Sequence, residues 1–124
     1  MEWVIPCNEK YYDHRGAFAN LNTIDWRQST KVEVGDYVYI YVGRPTSSLM
    51  YKCEAIAVDI ENPSNDDAIY NKGGLNNAGR YMRLKLIESY PEGKYKREDL
   101  LENGLKTVQG PTKATPELIA WLEK

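Results

Sequence analysis

Residues 24–44 read IDWRQSTKVEVGDYVYIYVGR and contain the pattern that decides the fold. The second half of this stretch alternates between tyrosine and an aliphatic residue, in the order Tyr37, Val38, Tyr39, Ile40, Tyr41 and Val42. A period of two is typical of a strand that buries one face and exposes the other. The pattern therefore predicts a half-buried strand with one aliphatic face and one face of phenols.

The first half of the same stretch places a flat aromatic ring, a cation and two hydrogen-bonding groups on consecutive residues, which are Trp26, Arg27, Gln28 and Ser29. We expect residues 26–30 to form a loop, and this mixture of side chains suits a pocket for a nucleobase. The alternative is a small barrel that Trp26 and the tyrosines fill, with their polar tips at its rim.

Length and composition limit the class of protein. A chain of 124 residues has the usual size of one domain, so residues 1–124 are expected to form a single unit. Ten tyrosines and three tryptophans stand against one phenylalanine, so most aromatic surface carries a hydrogen-bonding tip. The net charge of -2 argues against the uniformly basic surface of a non-specific DNA coat protein, but it leaves room for a local basic patch.

No long apolar run and no charged-then-apolar leader is visible, so we expect a cytoplasmic protein without a membrane segment. Cys7 and Cys53 are expected to be reduced and packed. The single histidine, the lack of a glycine-rich phosphate loop and the lack of metal-ligand spacing argue against an enzyme, a metal site or a cofactor. A nucleophile and base pair of Cys7 with His14 is conceivable but has no motif around it.

The remaining patterns predict an α+β fold, a small mixed barrel or curled sheet with helices packed on it. Strands are expected at residues 2–7, 37–42, 49–58 and 81–88, and short helices from residue 16, over 96–103 and over 115–124. Thr115 is a good N-cap and Pro116 fits the first helical position. Residues 59–79 are rich in Asn, Asp and Gly and predict a variable loop.

Five motifs in this order resemble the EVE-like members of the PUA superfamily, which are related to YTH and ASCH domains. They are WVIPCN (3–8), IDWRQS (24–29), VGDYVYIYVG (34–43), YMRLKL (81–86) and QGPTKATPELIAWL (109–122). The resemblance implies a PUA-like pseudo-barrel of five or six strands flanked by short helices. It also implies a pocket between the barrel and the helix that follows the first strand.

In function, the resemblance implies a nucleic-acid-binding module that holds a modified base, a cytosine or adenine in DNA, flipped in an aromatic pocket. Similar domains precede a nuclease or NTPase in modification-dependent restriction proteins, so the chain is expected to be a stand-alone reader, a truncated piece of such a protein or the partner of a separate effector of that kind. An RNA-binding domain of the PUA or ASCH type is the alternative. From another class, the domain is a protein-interaction adaptor whose tyrosine face docks a partner.

Carried over residue by residue, the resemblance and the local chemistry predict one nucleic-acid site, which contains Cys7, Asn8, Tyr11, Trp26, Arg27, Gln28, Ser29, Tyr41, Gly43 and Arg44. Trp26 would stack on the base, and Asn8 and Gln28 would read its Watson–Crick edge. Arg27, Arg44 and Lys52 are the candidates for contacts with phosphates, and the alternative is that they are ordinary solvated surface charges.

Two neighbouring positions leave the prediction open. Tyr11 and Tyr12 are both able to close over the base, or else to pack on the following helix. The sequence also departs from the EVE pattern, because Cys7 and Asn8 stand where many members carry Ser-Glu-Pro, and residues 42–43 are Val-Gly where many have His-Ser. The preferred base is therefore left open.

Overall fold

The computed structural model describes residues 1–28, 31–61, 70 and 80–123. In these residues the chain forms six strands and three helices. In chain order they are β1 (Glu2–Cys7), α1 (His14–Asn20), β2 (Thr23–Arg27), β3 (Tyr37–Val42), β4 (Ser48–Ile60), β5 (Tyr81–Ser89), α2 (Arg97–Glu102), β6 (Thr112–Lys113) and α3 (Pro116–Leu122).

The strands form one mixed sheet in the order β2-β5-β4-β3-β1-β6. β1 pairs with β3 in parallel, and the other neighbours are antiparallel. The sheet is curled, since Ile24 of β2 and Trp3 of β1, four strands apart in the order, are buried in the same apolar cluster. The predicted α+β class with a curled sheet of six strands is confirmed.

The sheet buries apolar side chains on both faces. The cluster on its concave face, here called the inner core, contains Trp3, Ile5, Cys7, Phe18, Ile24, Val32, Val38, Ile40, Val42, Met50, Tyr51, Cys53, Ala55, Met82 and Leu84. The cluster on the opposite face, here called the outer core, contains Val4, Tyr39, Tyr41, Leu49, Tyr90, Tyr95, Leu100, Leu105, Ala114, Leu118 and Leu122.

The prediction of a half-buried β3 is therefore wrong, although the two faces have the predicted composition. Val38, Ile40 and Val42 point to the inner core, while Tyr39 and Tyr41 lie in the outer core with 0% and 3% of their surface exposed. The phenol face is covered because α2 and α3 pack over it with Leu100, Leu118 and Leu122. Tyrosine can be buried in this way because most of its side chain is apolar.

The predicted hairpin of β3 and β4 is confirmed, with one change in the faces of β4. Ile40 pairs with Tyr51 and Tyr41 pairs with Leu49, so Met50 is an extra residue on β4. Such a bulge reverses the faces of the residues that precede it. Leu49 accordingly lies in the outer core and Tyr51 in the inner core, although simple alternation places them on one face.

Trp26 and Arg27 lie on a strand rather than in the predicted loop. They end β2, where Trp26 pairs with Met82 and Arg27 pairs with Tyr81 of β5. β2 is the last strand of the sheet order in the described part of the chain. Both predicted site residues are thus fixed by main-chain pairing at a sheet edge.

Helix α3 begins as predicted, with Thr115 Oγ1 accepting a hydrogen bond from Leu118 N at 3.2 Å. α1 begins at His14 and is capped by Asp13, so it starts earlier than predicted. Of the predicted variable loop, residues 62–69 and 71–79 lie outside the described residues, as does residue 124 of the predicted last helix. Over the described ranges, the chain has no helix with the length and apolar character needed to cross a membrane.

Candidate nucleic-acid interface

An aromatic pair joins the segment after β1 to the end of β2. The ring centroids of Tyr12 and Trp26 are 5.3 Å apart with an interplanar angle of 78°. Both side chains are half-buried and pack against the inner core. An edge-to-face pair engages at most one face of each ring, so this arrangement leaves aromatic surface that the pair itself does not cover.

Two predicted polar residues follow Trp26 at the end of β2. Arg27 is exposed, and as the next residue of a strand it points to the opposite face from Trp26. Gln28 is half-buried, and its Oε1 accepts a hydrogen bond from Asp59 N at 2.9 Å. That bond occupies one of the two groups with which Gln28 was expected to read a base. Ser29, the last residue of the predicted run, lies outside the described residues.

A second group of predicted residues meets where β1 and β3 end. Gly43 N donates to Cys7 O at 3.0 Å, which brings the exposed side chains of Asn8 and Arg44 to the same end of the sheet. Asn8 Oδ1 accepts from Lys10 N at 3.0 Å, so this oxygen closes a local turn. The pair of Tyr12 with Trp26 connects this end of β1 to the edge strand.

Three predicted site residues need separate accounts. Tyr41 cannot line the predicted pocket, since it is 3% exposed in the outer core, on the face opposite Trp26. Cys7 is 3% exposed in the inner core, so only its main chain reaches this end of the sheet. Tyr11 is 51% exposed, and it is Tyr12 that contacts Trp26.

The thiol of Cys7 is also unsuited to the pairing with His14. Burial, together with the charge of Glu9, raises the pKa of Cys7 to about 12, so the nucleophilic thiolate is scarce near neutral pH. Within the described residues, no group of three or more His, Cys, Asp or Glu side chains is arranged to hold a metal ion.

A buried polar chain supports the wall between α1 and the sheet. His14, only 1% exposed, places Nδ1 2.6 Å from Tyr51 Oη and Nε2 3.4 Å from Glu9 Oε1. Glu9 Oε2 in turn accepts from Thr46 N at 3.1 Å and Thr46 Oγ1 at 2.6 Å. Phe18 stacks on Tyr51 at 4.2 Å between centroids. The chain thus ties α1 and the segment after β1 to the turn between β3 and β4.

Burial and hydrogen bonds determine the protonation states of Tyr51, His14 and Glu9. Burial raises the pKa of Tyr51 to about 12, so Tyr51 keeps its proton and its hydroxyl donates a hydrogen bond to His14 Nδ1. Neutral His14 then carries its own proton on Nε2, which faces Glu9. Burial lowers the pKa of His14 below 6.5 despite the hydrogen bond to Glu9. For Glu9, burial raises the pKa, but the bonds from Thr46 and His14 outweigh it and the net pKa is below 4.5.

These shifts predict acid sensitivity with two steps. The unfolded chain binds a proton at His14 more readily than the folded chain does, so the free energy of unfolding should fall as pH drops below about 6.5. Glu9 adds a second loss below pH 4.5, because its folded form resists protonation. His14 is the one histidine of the chain, so urea unfolding at several pH values between about 7.5 and 5.5 measures the first of these two steps.

His14→Gln provides the matched comparison for this pH dependence. The variant should be less stable than the original chain at about pH 7.5 but should lose little further stability by about pH 5.5. Equal slopes for the two proteins would contradict the assignment of the shift to His14.

The members of this polar chain are far apart in the sequence and carry no motif, so the sequence does not predict it. His14 and Tyr51 are separated by 37 residues, as are Glu9 and Thr46. The one local signal is Asp13, which is a favourable N-cap residue. Its Oδ1 accepts a hydrogen bond from Gly16 N at 3.1 Å. It would have placed His14 in the first turn of a helix that packs on the sheet.

Comparisons with known proteins define the fold at this point. No family model matches the chain, and no curated protein matches it. Among solved structures, ASCH from Zymomonas mobilis has a TM-score of 0.61 at 16% identity, over 98% of this chain and 93% of that one. A protein from Pseudomonas putida has a TM-score of 0.67 at 12% identity, over 99% and 97%. A protein from Agrobacterium tumefaciens has a TM-score of 0.65 at 12% identity, over 98% and 88%.

These likenesses cover nearly the whole chain, and they show that it shares its fold with ASCH from Zymomonas mobilis. The predicted PUA-like pseudo-barrel is thereby confirmed. The narrower prediction, an EVE-like domain, stays a prediction.

Proposed function

We propose that the chain binds nucleic acid by holding one unstacked base against the pair of Tyr12 and Trp26. The observation that carries the proposal is the half-buried Trp26, fixed edge-to-face by Tyr12 at the end of an edge strand and followed by the exposed cation of Arg27. Aromatic stacking accepts any base, and a few kcal/mol from such contacts offset the unstacking of that base.

The edge position of β2 suits this mode of binding. Trp26 and Arg27 point to opposite faces of the strand, so a nucleotide that crosses the edge would place its base on one side and its phosphate on the other. Asn8 and Arg44, at the end of β1 and β3, are a second polar and cationic pair for the neighbouring nucleotides. A net charge of -2 makes local contacts of this kind, rather than a general basic surface, the source of binding.

The ligand that we propose first is a modified cytosine or adenine in DNA, on the strength of the resemblance to EVE domains. RNA is the second candidate, supported equally by the ASCH-like fold. Under either proposal the chain is a binding domain rather than an enzyme, and a separate nuclease or NTPase would act on the bound nucleic acid.

Fluorescence anisotropy separates these candidates. We expect short oligonucleotides with one methylated or hydroxymethylated base to bind more tightly than unmodified ones, and single strands or mismatched duplexes to bind more tightly than perfect duplexes, because the base is easier to unstack. Affinity should fall as salt rises. Equal or tighter binding of unmodified RNA would replace the DNA proposal by the RNA one. Failure of every oligonucleotide to bind at low salt would reject nucleic-acid binding.

A further inference from the structure

A groove of about 660 Å³ lies beside α3 at the margin of the outer core. The start of β1, the start of β3 and one side of α3 form its walls. Its lining includes Met1, Glu2, Tyr37, Pro116, Ile119 and Glu123.

The floor of this groove continues the apolar surface of the outer core. Tyr37 precedes the buried Tyr39 on the same face of β3 and is 37% exposed. Ile119 of α3 is half-buried at the margin of the outer core, and Met1 is 65% exposed. The groove therefore offers apolar surface that no described part of the chain covers completely.

Two carboxylates stand in the walls of this groove. Glu2 lies on β1, where its Oε1 accepts a hydrogen bond from Tyr39 Oη at 3.2 Å, and Glu123 lies just after α3. Both carboxylates line the same groove, and, after burial, their charges contribute to raising the pKa of Tyr39. In the described parts of the chain, neither carboxylate forms an ion pair with a lysine or arginine.

Two cations near this groove, Lys52 and the α-amino group of Met1, contact other groups. The Nζ atom of Lys52 lies 4.5 Å from the ring centroid of Tyr37 and 5.6 Å from that of Tyr39, so these rings already attract positive charge. The α-amino group of Met1 lies 3.3 Å from Asp36 Oδ1. Among the described residues, neither of these two cations forms an ion pair with Glu2 or Glu123.

We propose that this groove docks a segment of a partner protein in which an apolar side chain adjoins a lysine or arginine. The apolar side chain would lie on Tyr37 and Ile119, and the cation between Glu2 and Glu123. Charge complementarity favours this occupant and disfavours nucleic acid, whose phosphates the two carboxylates repel. The surface lies on the face opposite Trp26, so the chain can bind a base and a protein partner at once.

The test is a titration of the ¹⁵N-labelled chain with three blocked peptides, Leu-Arg-Leu, Leu-Gln-Leu and Leu-Glu-Leu. The arginine peptide should shift the amide signals of Glu2, Tyr37 and Ile119 saturably at about 1 mM or below. The glutamine peptide should bind more weakly, and the glutamate peptide should not bind.

Charge variants make the test specific. The double change Glu2→Gln and Glu123→Gln should weaken the arginine peptide by about fivefold or more, whereas Glu102→Gln, an exposed carboxylate on α2, should leave its affinity unchanged. Equal binding of all three peptides, or loss of affinity in the Glu102 control as large as in the double variant, would overturn the proposal. So would the absence of any shift with the arginine peptide.

Discussion

Replacing Trp26 with Ala should lower the affinity for the best-bound oligonucleotide by about 5- to 150-fold, which corresponds to about 1 to 3 kcal/mol for one stacked base. The loss should be largest for the preferred base, because only a base held in the pocket is inspected chemically. Binding that depends on phosphate contacts alone should survive, so residual affinity should keep its salt dependence but lose base preference. Anisotropy titrations at two salt concentrations measure both effects.

Trp121→Ala is the matched control for this variant. Trp121 is also half-buried and also packs edge-to-face on a tyrosine, Tyr95, at 5.2 Å, but it belongs to the outer core. Both variants lose an indole of similar burial, and only Trp26→Ala should lose binding. If Trp26→Ala retains its base preference while near-UV circular dichroism shows a native fold, the pocket is elsewhere. If both variants lose binding equally, the effect is one of stability.

The sequence predicted the elements whose signals are local. β1 and β3 have the predicted bounds, 2–7 and 37–42, because alternation and the turn at Gly35 mark them directly. α3 begins where Thr115 and Pro116 place it. In each case the deciding residues lie within a few positions of the element that they define.

The errors arise where distant segments decide the environment. The alternation in β3 predicts a half-buried strand, but α2 and α3, more than 50 residues further along the chain, cover Tyr39 and Tyr41 on its phenol face. The chemistry of Trp26 and Arg27 suggests a loop at these two residues, while the pairing with β5 that makes them part of a strand spans the variable loop. No local pattern in the sequence predicts the packing of α2 and α3 on β3 or the pairing of β2 with β5.

The same reason limits the prediction of the site. Trp26 and Arg27 were chosen for their side chains, and the structure gives them a position at a sheet edge that suits binding. Tyr11 was preferred over Tyr12, since the sequence of that loop cannot decide which ring turns towards Trp26. The buried chain of Glu9, His14 and Tyr51 could not be foreseen, because it exists only once α1 is packed on the sheet.

Replacing Leu118 with Ala should lower the free energy of unfolding by about 2 to 5 kcal/mol, the usual loss for a fully buried leucine. Leu118 is 0% exposed and anchors α3 in the outer core. A helix of 7 residues is too short to be stable in water by itself, so its structure depends on this packing. The loss should therefore include the contacts that follow Leu118 on the helix, among them the hydrogen bond from Tyr95 Oη to Leu122 O at 3.2 Å. Urea unfolding followed by tryptophan fluorescence measures the change.

Ile87→Ala is the control for Leu118→Ala. It removes an aliphatic side chain from a position that is 46% exposed, and it should alter the free energy of unfolding by less than about 1 kcal/mol.

The Leu118→Ala variant also distinguishes the two proposed binding surfaces. Because α3 forms a wall of the groove and lies on the face opposite Trp26, Leu118→Ala should weaken the arginine peptide at temperatures where the chain stays folded, and should leave oligonucleotide affinity unchanged. A loss of less than about 1 kcal/mol for Leu118→Ala would mean that α3 does not stabilise the outer core. Equal loss of both ligands would mean that the two faces of the sheet do not act independently.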